Sequence, residues 1–242
     1  MGEVGAPAIV FLHGTRLSRA VWNPQLAALS DEFLTIAVDL PGHGDRAAER
    51  FTLDGAARDI AGRIHAEAGG SAVIVGLSLG GYVGITVAAS QPTLVKGLVI
   101  AGASAEPVGL RSVPYRALAV TLTRLMSSRP ERLNASFFRT RYPAAIAEPI
   151  IAGGFWPVGG AEALRSLVGH RFAPRLAAYP GPTLILNGEL DLPFRLSAGQ
   201  FAAAARDARR VRLAGAMHLS NLDRPAAFSR AVREFARSLE PA

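Results

Sequence analysis

The chain has 242 residues, half of them hydrophobic, and a formal net charge of +7. This length predicts one domain with a sizeable core, and the hydrophobic content excludes an intrinsically disordered chain. The chain contains no cysteine, which excludes disulfides and thiolate metal sites. The first seven residues lack a basic segment followed by an apolar one, so we expect a cytoplasmic protein.

Two stretches could indicate a membrane protein or a nucleic-acid-binding protein. Gly69–Val95 carries no charge, but several glycines and Pro92 interrupt it, which favours a buried strand and helix over a membrane span. Arg209–Arg212 is a short basic run without interleaved aromatic residues. We therefore expect neither a membrane nor a nucleic acid as partner.

Apolar runs alternate with helical spacing along most of the chain, which predicts a parallel sheet with helices on both faces. The predicted strands are Ala8–Leu12, Leu34–Val38, Val73–Val75, Gly97–Ala101, Pro182–Asn187 and Val211–Leu213. The predicted helices are Ala20–Leu29, one that Thr52 or Asp54 caps and that ends near Ala68, Tyr82–Ser90, Leu196–Ala205 and Pro225–Leu239, with a loop at Ala216–Asn221.

The alternation stops between Ser104 and Tyr179, where the pattern is helical and broken by prolines. Pro114–Met126 and Ala161–Leu167 are its clearest helices. We predict that residues 104–179 form a helical cap inserted into a core of residues 1–103 and 180–242. This segment has ten arginines against four acidic residues. A solvated surface is one interpretation; the other is recognition of a carboxylate or an acidic carrier by some of Arg111, Arg116, Arg124, Arg139 and Arg141.

The stretch Gly76–Leu77–Ser78–Leu79–Gly80 follows a β-branched run and precedes an apolar helix. This context favours a nucleophile elbow, a tight turn that presents a serine at the carboxyl edge of the sheet. The turn requires strained backbone angles at Ser78 and leaves no space for side chains at Gly76 and Gly80. We therefore predict that Ser78 is a nucleophile.

A serine needs a base to take its proton, and an acid to orient that base. His218 follows the last predicted strand, and Asp191 follows the strand before it. Glu189 is an alternative acid, although its place before Leu190 suits a turn better. The oxyanion of the reaction needs two backbone donors, for which we predict the amides of Thr15 and Leu79.

Five motifs carry a resemblance to the α/β-hydrolase fold along the whole chain: Leu12-His13-Gly14, Asp39-Leu40-Pro41-Gly42-His43-Gly44, Gly76-Leu77-Ser78-Leu79-Gly80-Gly81, Asn187-Gly188-Glu189-Leu190-Asp191 and Gly215-Ala216-Met217-His218. The resemblance implies Ser78 as nucleophile, His218 as base, Asp191 as acid, and Thr15 and Leu79 as oxyanion hole. The family has a β-hairpin before its His-Gly strand, whereas only seven residues precede Ala8. We therefore expect a sheet of about six strands, with Ala8–Leu12 or its neighbour near an edge.

The expected function is a serine hydrolase that cleaves a small or medium ester, lactone or thioester through an acyl-enzyme on Ser78. The expected partner is a small-molecule substrate, with an anionic or carrier-bound one as an open possibility, and the reaction requires no metal or cofactor. Trp22, Phe155, Trp156 and Leu219 are candidate pocket residues, while His13 and His43 are interpreted as turn-stabilising residues. One alternative is a lyase or cyclase that uses the same triad as a base, since the chain resembles the menaquinone-pathway succinyl-hydroxycyclohexadiene-carboxylate synthases. The second is a hydrolase-like receptor without turnover.

Overall fold

The structure is a computed structural model that describes residues 6–124 and 130–239. Its described strands form one sheet in which every neighbouring pair is parallel, in the order β2-β1-β3-β4-β5-β6. The strands are β1 (Ala8–Leu12), β2 (Leu34–Val38), β3 (Ala72–Leu77), β4 (Val95–Ala101), β5 (Pro182–Gly188) and β6 (Asp207–Leu213). The predicted six-stranded parallel sheet is confirmed, with β1 next to the edge strand β2.

Helices cover both faces of the sheet. They are α1 (Asn23–Leu29), α2 (Leu53–Glu67), α3 (Leu79–Ser90), α4 (Val113–Arg124), α5 (Pro130–Arg141), α6 (Ala144–Ala152), α7 (Pro157–Leu167), α8 (Phe172–Ala178), α9 (Leu192–Ala204), α10 (Ser220–Asp223) and α11 (Pro225–Arg237). Within the described ranges, every helix is too short or too polar to cross a membrane.

The central strands are hydrophobic on both sides because both sides are covered. Along β1, Val10 belongs to a core layer shared with α2, α3 and α9, whereas Ile9 and Phe11 belong to the opposite layer with α1 and α11. Such near-continuous apolar runs are expected for the strands of a parallel sheet. The sheet lies between these two layers, and the carboxyl ends of its parallel strands lie at one edge.

Several predicted element boundaries differ from the structure; α7 and α9, for example, each begin four residues before the predicted starts at Ala161 and Leu196. The helix expected over Ala20–Leu29 is a 3₁₀ turn (Arg19–Trp22) followed by α1, which begins at the residue before Pro24. Strand β6 begins at Asp207, four residues before the predicted start. The sequence pattern missed these residues because this edge strand exposes its arginines and lacks an apolar run. The loop expected over Ala216–Asn221 ends at the short helix α10. The predicted end of α4 at Met126 lies outside the described residues.

Helices α4 to α8 lie between β4 and β5, in the segment of residues 104–179, which we call the insertion. The start of α7 packs directly on two loops of the sheet edge. A Cβ added to Gly159 would overlap the Gly42 carbonyl, and one added to Gly160 would lie 2.9 Å from the Thr15 hydroxyl oxygen. The Thr15 hydroxyl also donates a hydrogen bond of 3.1 Å to the Gly160 carbonyl. The backbone of α7 therefore fixes the insertion against the loop after β1.

Candidate active site

Ser78 sits at the sharp turn between β3 and α3. Its φ of +52° is in the left-handed region that residues with side chains rarely adopt, as expected for an elbow serine. Its amide donates a 2.7 Å hydrogen bond to the Ala101 carbonyl, which holds the turn against β4. A Cβ on Gly76 would overlap the Gly80 carbonyl, and one on Gly80 would overlap the Leu12 carbonyl. Both glycines are therefore required by close backbone contact.

Asp191 and His218 meet at the same edge of the sheet. The Asp191 Oδ2 atom lies 2.8 Å from His218 Nδ1, and the carboxylate is almost completely buried. Glu189 instead accepts a 3.0 Å hydrogen bond from the Gly215 amide. Of the two candidate acids, Asp191 is thus the one in contact with the imidazole. With Nδ1 protonated and donating to Asp191, Nε2 carries the lone pair that a base needs.

Two residues that the sequence analysis did not identify hold the imidazole ring between them. Gly102, with a φ of +57°, follows β4; a Cβ there would lie 2.9 Å from His218 Cε1 and 3.0 Å from Nδ1. On α9, the Phe194 ring stacks on the imidazole with centroids 4.9 Å apart and planes 27° apart. In sequence, Gly102 looks like an ordinary turn glycine and Phe194 like a helix residue. Neither carries a motif that marks it.

Ser78 and His218 both line one cavity, although their side chains are not hydrogen-bonded to each other. Among the described residues, none is within hydrogen-bonding distance of the Ser78 hydroxyl in suitable geometry. Catalytic hydrogen bonds are often long in an unliganded site and shorten when substrate binds. The arrangement therefore provides a serine, an oriented imidazole and a buried carboxylate around one space.

The amides of Thr15 and Leu79 lie at the two turns expected for the oxyanion hole. Leu79 is the first residue of α3, so its amide has no acceptor within the helix. Within the described ranges, neither amide donates a hydrogen bond to the protein. Both donors are thus available to a ligand, and the start of α3 adds a partial positive charge.

His13 and His43 join the loop after β1 to the loop after β2. The Leu40 amide donates 3.0 Å to His13 Nε2, and the Arg16 amide donates 3.0 Å to His43 Nε2. Each Nδ1 in turn donates to a carbonyl, that of Gly14 or of Pro41. Burial lowers the pKa of His13 to about 3 and also lowers the pKa of His43. Because Nε2 accepts a hydrogen bond in each ring, both rings are neutral, and they hold the Thr15 turn against the loop after β2.

Asp223 links the loop that carries His218 to the insertion. Its buried carboxylate accepts hydrogen bonds from the Tyr142 hydroxyl and the Arg141 guanidinium at 2.8 Å, and from the Met217 amide at 2.7 Å. Arg141 and Tyr142 are at the end of α5, whereas Met217 immediately precedes His218. The position of His218 is thus coupled to the position of α5.

The cavity has a volume of about 980 Å³ and reaches from Ser78 and His218 to the insertion. Of the four candidate pocket residues, Leu219 lines this cavity, whereas Trp22, Phe155 and Trp156 do not. Trp22 is fully buried in the core between Phe11 and Phe228.

The other two aromatic residues are on the insertion but do not reach the cavity. Phe155 is buried against Phe138, with stacked rings 5.5 Å apart. Trp156 lines a smaller cavity of about 340 Å³ between α7 and the loop after β2. Large apolar residues near glycine pairs read as pocket residues in sequence, but here they pack the insertion onto the core.

The comparison with known proteins decides the family. Residues 9–231 match the alpha/beta hydrolase family. The chain belongs to that family. This α/β hydrolase is 27% identical to 3-oxoadipate enol-lactonase 1 of Acinetobacter baylyi, over 99% of this chain and 92% of the relative. It is 31% identical to pimeloyl-[acyl-carrier protein] methyl ester esterase of Cronobacter sakazakii, over 76% of this chain and 74% of the relative.

A solved structure agrees with this assignment. The α/β hydrolase superimposes on a thermophilic esterase from Thermogutta terrifontis with a TM-score of 0.81 and 27% identity, covering 99% of this chain and 92% of that one. The family and these relatives show that the protein is an enzyme of the alpha/beta hydrolase type.

The insertion arginines of the hydrolase have different surroundings. Arg139 pairs with Glu148, and Arg141 pairs with Asp223. Of the five arginines that the sequence singles out, Arg111 is the one that lines the large cavity. Arg16, which the sequence analysis did not consider, also lines it and donates 3.2 Å to Asn134 Oδ1. Burial lowers the pKa of Arg16.

In the part of the chain that the structure describes, no three His, Asp or Glu side chains are placed to hold a metal ion together.

Proposed function

We propose that the protein is a serine hydrolase that cleaves a carboxylic ester, lactone or thioester through an acyl-enzyme on Ser78. The observation that carries this proposal is the 2.8 Å contact between Asp191 and His218 beside a strained serine that opens into the same cavity. The named activities of the relatives, an enol-lactonase and a methyl ester esterase, support the reaction class.

The steps follow from the placement of these groups. His218 Nε2 takes the Ser78 hydroxyl proton while the serine oxygen forms a bond to the substrate carbonyl carbon. The Thr15 and Leu79 amides donate to the resulting oxyanion, and Asp191 stabilises the imidazolium. His218 then protonates the leaving oxygen or sulfur as its bond to carbon breaks. His218 then takes a proton from water as the water oxygen attacks the acyl carbon, and it returns that proton to the Ser78 oxygen as the bond from that oxygen to the acyl carbon breaks, which releases the acid and regenerates the Ser78 hydroxyl.

We further propose that the insertion acts as a cap on a core formed by residues 1–103 and 180–242. Helices α4 and α5 supply one wall of the cavity, through Leu118, Leu122 and Phe137 among others. Substrate selection then depends on the insertion, whereas bond cleavage depends on the sheet edge. Residues 1–5, 125–129 and 240–242 of these two segments lie outside the described residues.

Hydrolysis of p-nitrophenyl butyrate tests the reaction, with Ser78→Ala compared to wild type. We expect Ser78→Ala to lower kcat by at least about 10³-fold, because the nucleophile and its base act as a unit. Ser197→Ala is the matched control, since Ser197 lines the same cavity but is on α9. It should keep kcat within about twofold of wild type.

Intact mass measurement during turnover distinguishes the alternatives. An acyl adduct on wild type that is absent from Ser78→Ala supports the proposal. Turnover without an adduct would favour the use of the triad as a base in a lyase or cyclase, provided that a slowly deacylated ester and a fluorophosphonate also leave Ser78 unmodified. Saturable binding without turnover would favour a receptor.

An anionic or carrier-bound substrate is a finer part of the proposal and rests on Arg111. Arg111 lines the same cavity as Ser78, so its guanidinium could pair with a carboxylate or phosphate of a bound substrate. Because Arg111 is exposed, we expect Arg111→Ala to raise KM for mono-p-nitrophenyl succinate only about two- to fivefold at unchanged kcat. Arg116→Ala, at an exposed site outside the cavity lining, should leave KM unchanged. Equal KM in all three proteins would exclude this role.

A further inference from the structure

The walls of the large cavity are apolar over most of their extent. Six of its lining residues are leucine and phenylalanine side chains of α4, α5, α7 and α9: Leu118, Leu122, Leu133, Phe137, Leu164 and Leu196. Its volume of about 980 Å³ is at the upper end of the range for small-molecule sites. An acetyl or propionyl group on Ser78 would fill only a small part of this space.

Of the polar side chains that line this cavity, Glu106 and Tyr115 are engaged within the protein. The Glu106 carboxylate accepts hydrogen bonds from the Phe172 and Ala173 amides at 2.8 and 2.7 Å. The Tyr115 hydroxyl is 2.7 Å from that of Tyr82. A ligand that extends along this side of the cavity therefore meets hydrocarbon and has few partners for its own polar atoms, which makes polar substituents there costly.

Three of the lining side chains expose a large apolar surface at the mouth. The exposed fraction is 71% for Leu133, 50% for Phe137 and 76% for Leu196. Large exposed apolar patches on a protein surface often mark a binding site for a ligand or a partner. Because these residues line the same cavity as Ser78, a substrate with its carbonyl at Ser78 can extend over them.

We propose that the substrate carries an apolar group of about eight or more carbons, which lies along α4, α5 and α9 while the ester is at Ser78. This inference rests on the proposed hydrolase function and adds the substrate class to it. Each methylene buried in such a cavity contributes about 0.8 kcal/mol, or about fourfold in kcat/KM.

A chain-length series measures this directly on the full-length protein. One set varies the acyl side, with p-nitrophenyl acetate, butyrate, octanoate and dodecanoate; a second set varies the alcohol side, with ethyl, butyl, hexyl and octyl acetate. We expect kcat/KM to rise at least about 30-fold from two to eight carbons in one of the two sets. A maximum at the shortest member of both sets would overturn the inference while leaving the hydrolase function intact.

Leu196→Ser and Leu190→Ser form a matched pair of variants. Both leucines are exposed and separated by only a few residues, but Leu196 lines the cavity and Leu190 does not. We expect Leu196→Ser to lower kcat/KM for octanoate about fivefold and to leave acetate unchanged, and Leu190→Ser to change neither. An equal effect on acetate and octanoate would contradict a chain-binding role for Leu196.

Binding without turnover separates the two proposals. In Ser78→Ala, octanoate should displace the fluorescent probe N-phenyl-1-naphthylamine, and Leu196→Ser introduced into the same protein should weaken this displacement. Displacement in a protein that hydrolyses no ester would support the chain site and refute the hydrolase proposal. Ester hydrolysis by wild type without displacement by octanoate would do the reverse.

Discussion

Gly102→Ala should disable the site with only a moderate loss of stability. The added Cβ would lie 2.9 Å from His218 Cε1 and 3.2 Å from Asp191 Oδ2. Since carbon atoms pack at about 3.5–4.0 Å, the imidazole must retreat by roughly 0.5–1 Å. A displacement of this size costs on the order of 10²-fold in rate, so we expect kcat/KM for p-nitrophenyl butyrate to fall about 10²-fold.

The backbone cost of the same substitution has a built-in control. The φ of Gly102 is +57°, where an alanine costs about 1–2 kcal/mol of folding free energy. Gly109 has a φ of +54°, but a Cβ there meets no atom within 4 Å. Urea unfolding should show a similar loss for Gly109→Ala, while its kcat/KM stays at the wild-type value. Wild-type kcat/KM in Gly102→Ala, or an equal loss in both variants, would refute this reasoning.

Three further outcomes are expected from the geometry of the site and its loops. Phe194→Leu removes the ring stacked on His218 and with it part of the packing that orients the imidazole, so kcat/KM for p-nitrophenyl butyrate should fall several-fold; an unchanged kcat/KM would contradict this. His13 has a folded pKa of about 3, below its unfolded value of about 6.5, so the unfolded chain binds more protons in between. The free energy of unfolding, measured by urea titration, should therefore fall as the pH drops from 6.5 towards 3, and His13 contributes about 1.4 kcal/mol per pH unit to this fall. His13→Gln should show a shallower fall, and an unchanged slope would contradict this prediction. Gly76→Ala should prevent folding because its Cβ would overlap the backbone of the elbow. Gly62→Ala should raise Tm, because Gly62 is on α2 with open space around it and alanine favours a helix. A soluble Gly76→Ala protein that unfolds cooperatively would contradict the first expectation.

The sequence predicts the sheet and the contact between Asp191 and His218 because both rest on local patterns. Apolar runs of five to seven residues followed by turn residues specify buried parallel strands, and residues just after those strands must share one edge. The same logic fails for β6, whose start at Asp207 lies in an exposed edge strand without an apolar run. It also fails for α10, which is too short to show a period.

The cavity wall could not be predicted in this way because hydrophobicity does not distinguish a core residue from a pocket residue. Trp22 and Phe155 are as apolar as Phe137 and Leu196, yet the former pair is buried and the latter pair is open to the cavity. Which of them faces the cavity depends on how the insertion packs on the sheet edge. That packing depends on close backbone contacts such as Gly42 with Gly159, which leave no periodic pattern in the sequence.

Because of the buried Asp223 carboxylate, we expect that the insertion cannot simply be replaced by the corresponding segment of a related protein. A foreign insertion without counterparts of Arg141 and Tyr142 would remove the donors to Asp223 Oδ1, whereas Oδ2 would keep the Met217 amide. An unsatisfied buried acceptor costs about 1–3 kcal/mol, and the strain would fall on the segment that ends in His218. A graft that changes substrate preference would therefore also lower the rate of the chemical step, unless position 223 is redesigned with it. We therefore expect a change of the insertion to alter both the substrate preference and the rate of the chemical step.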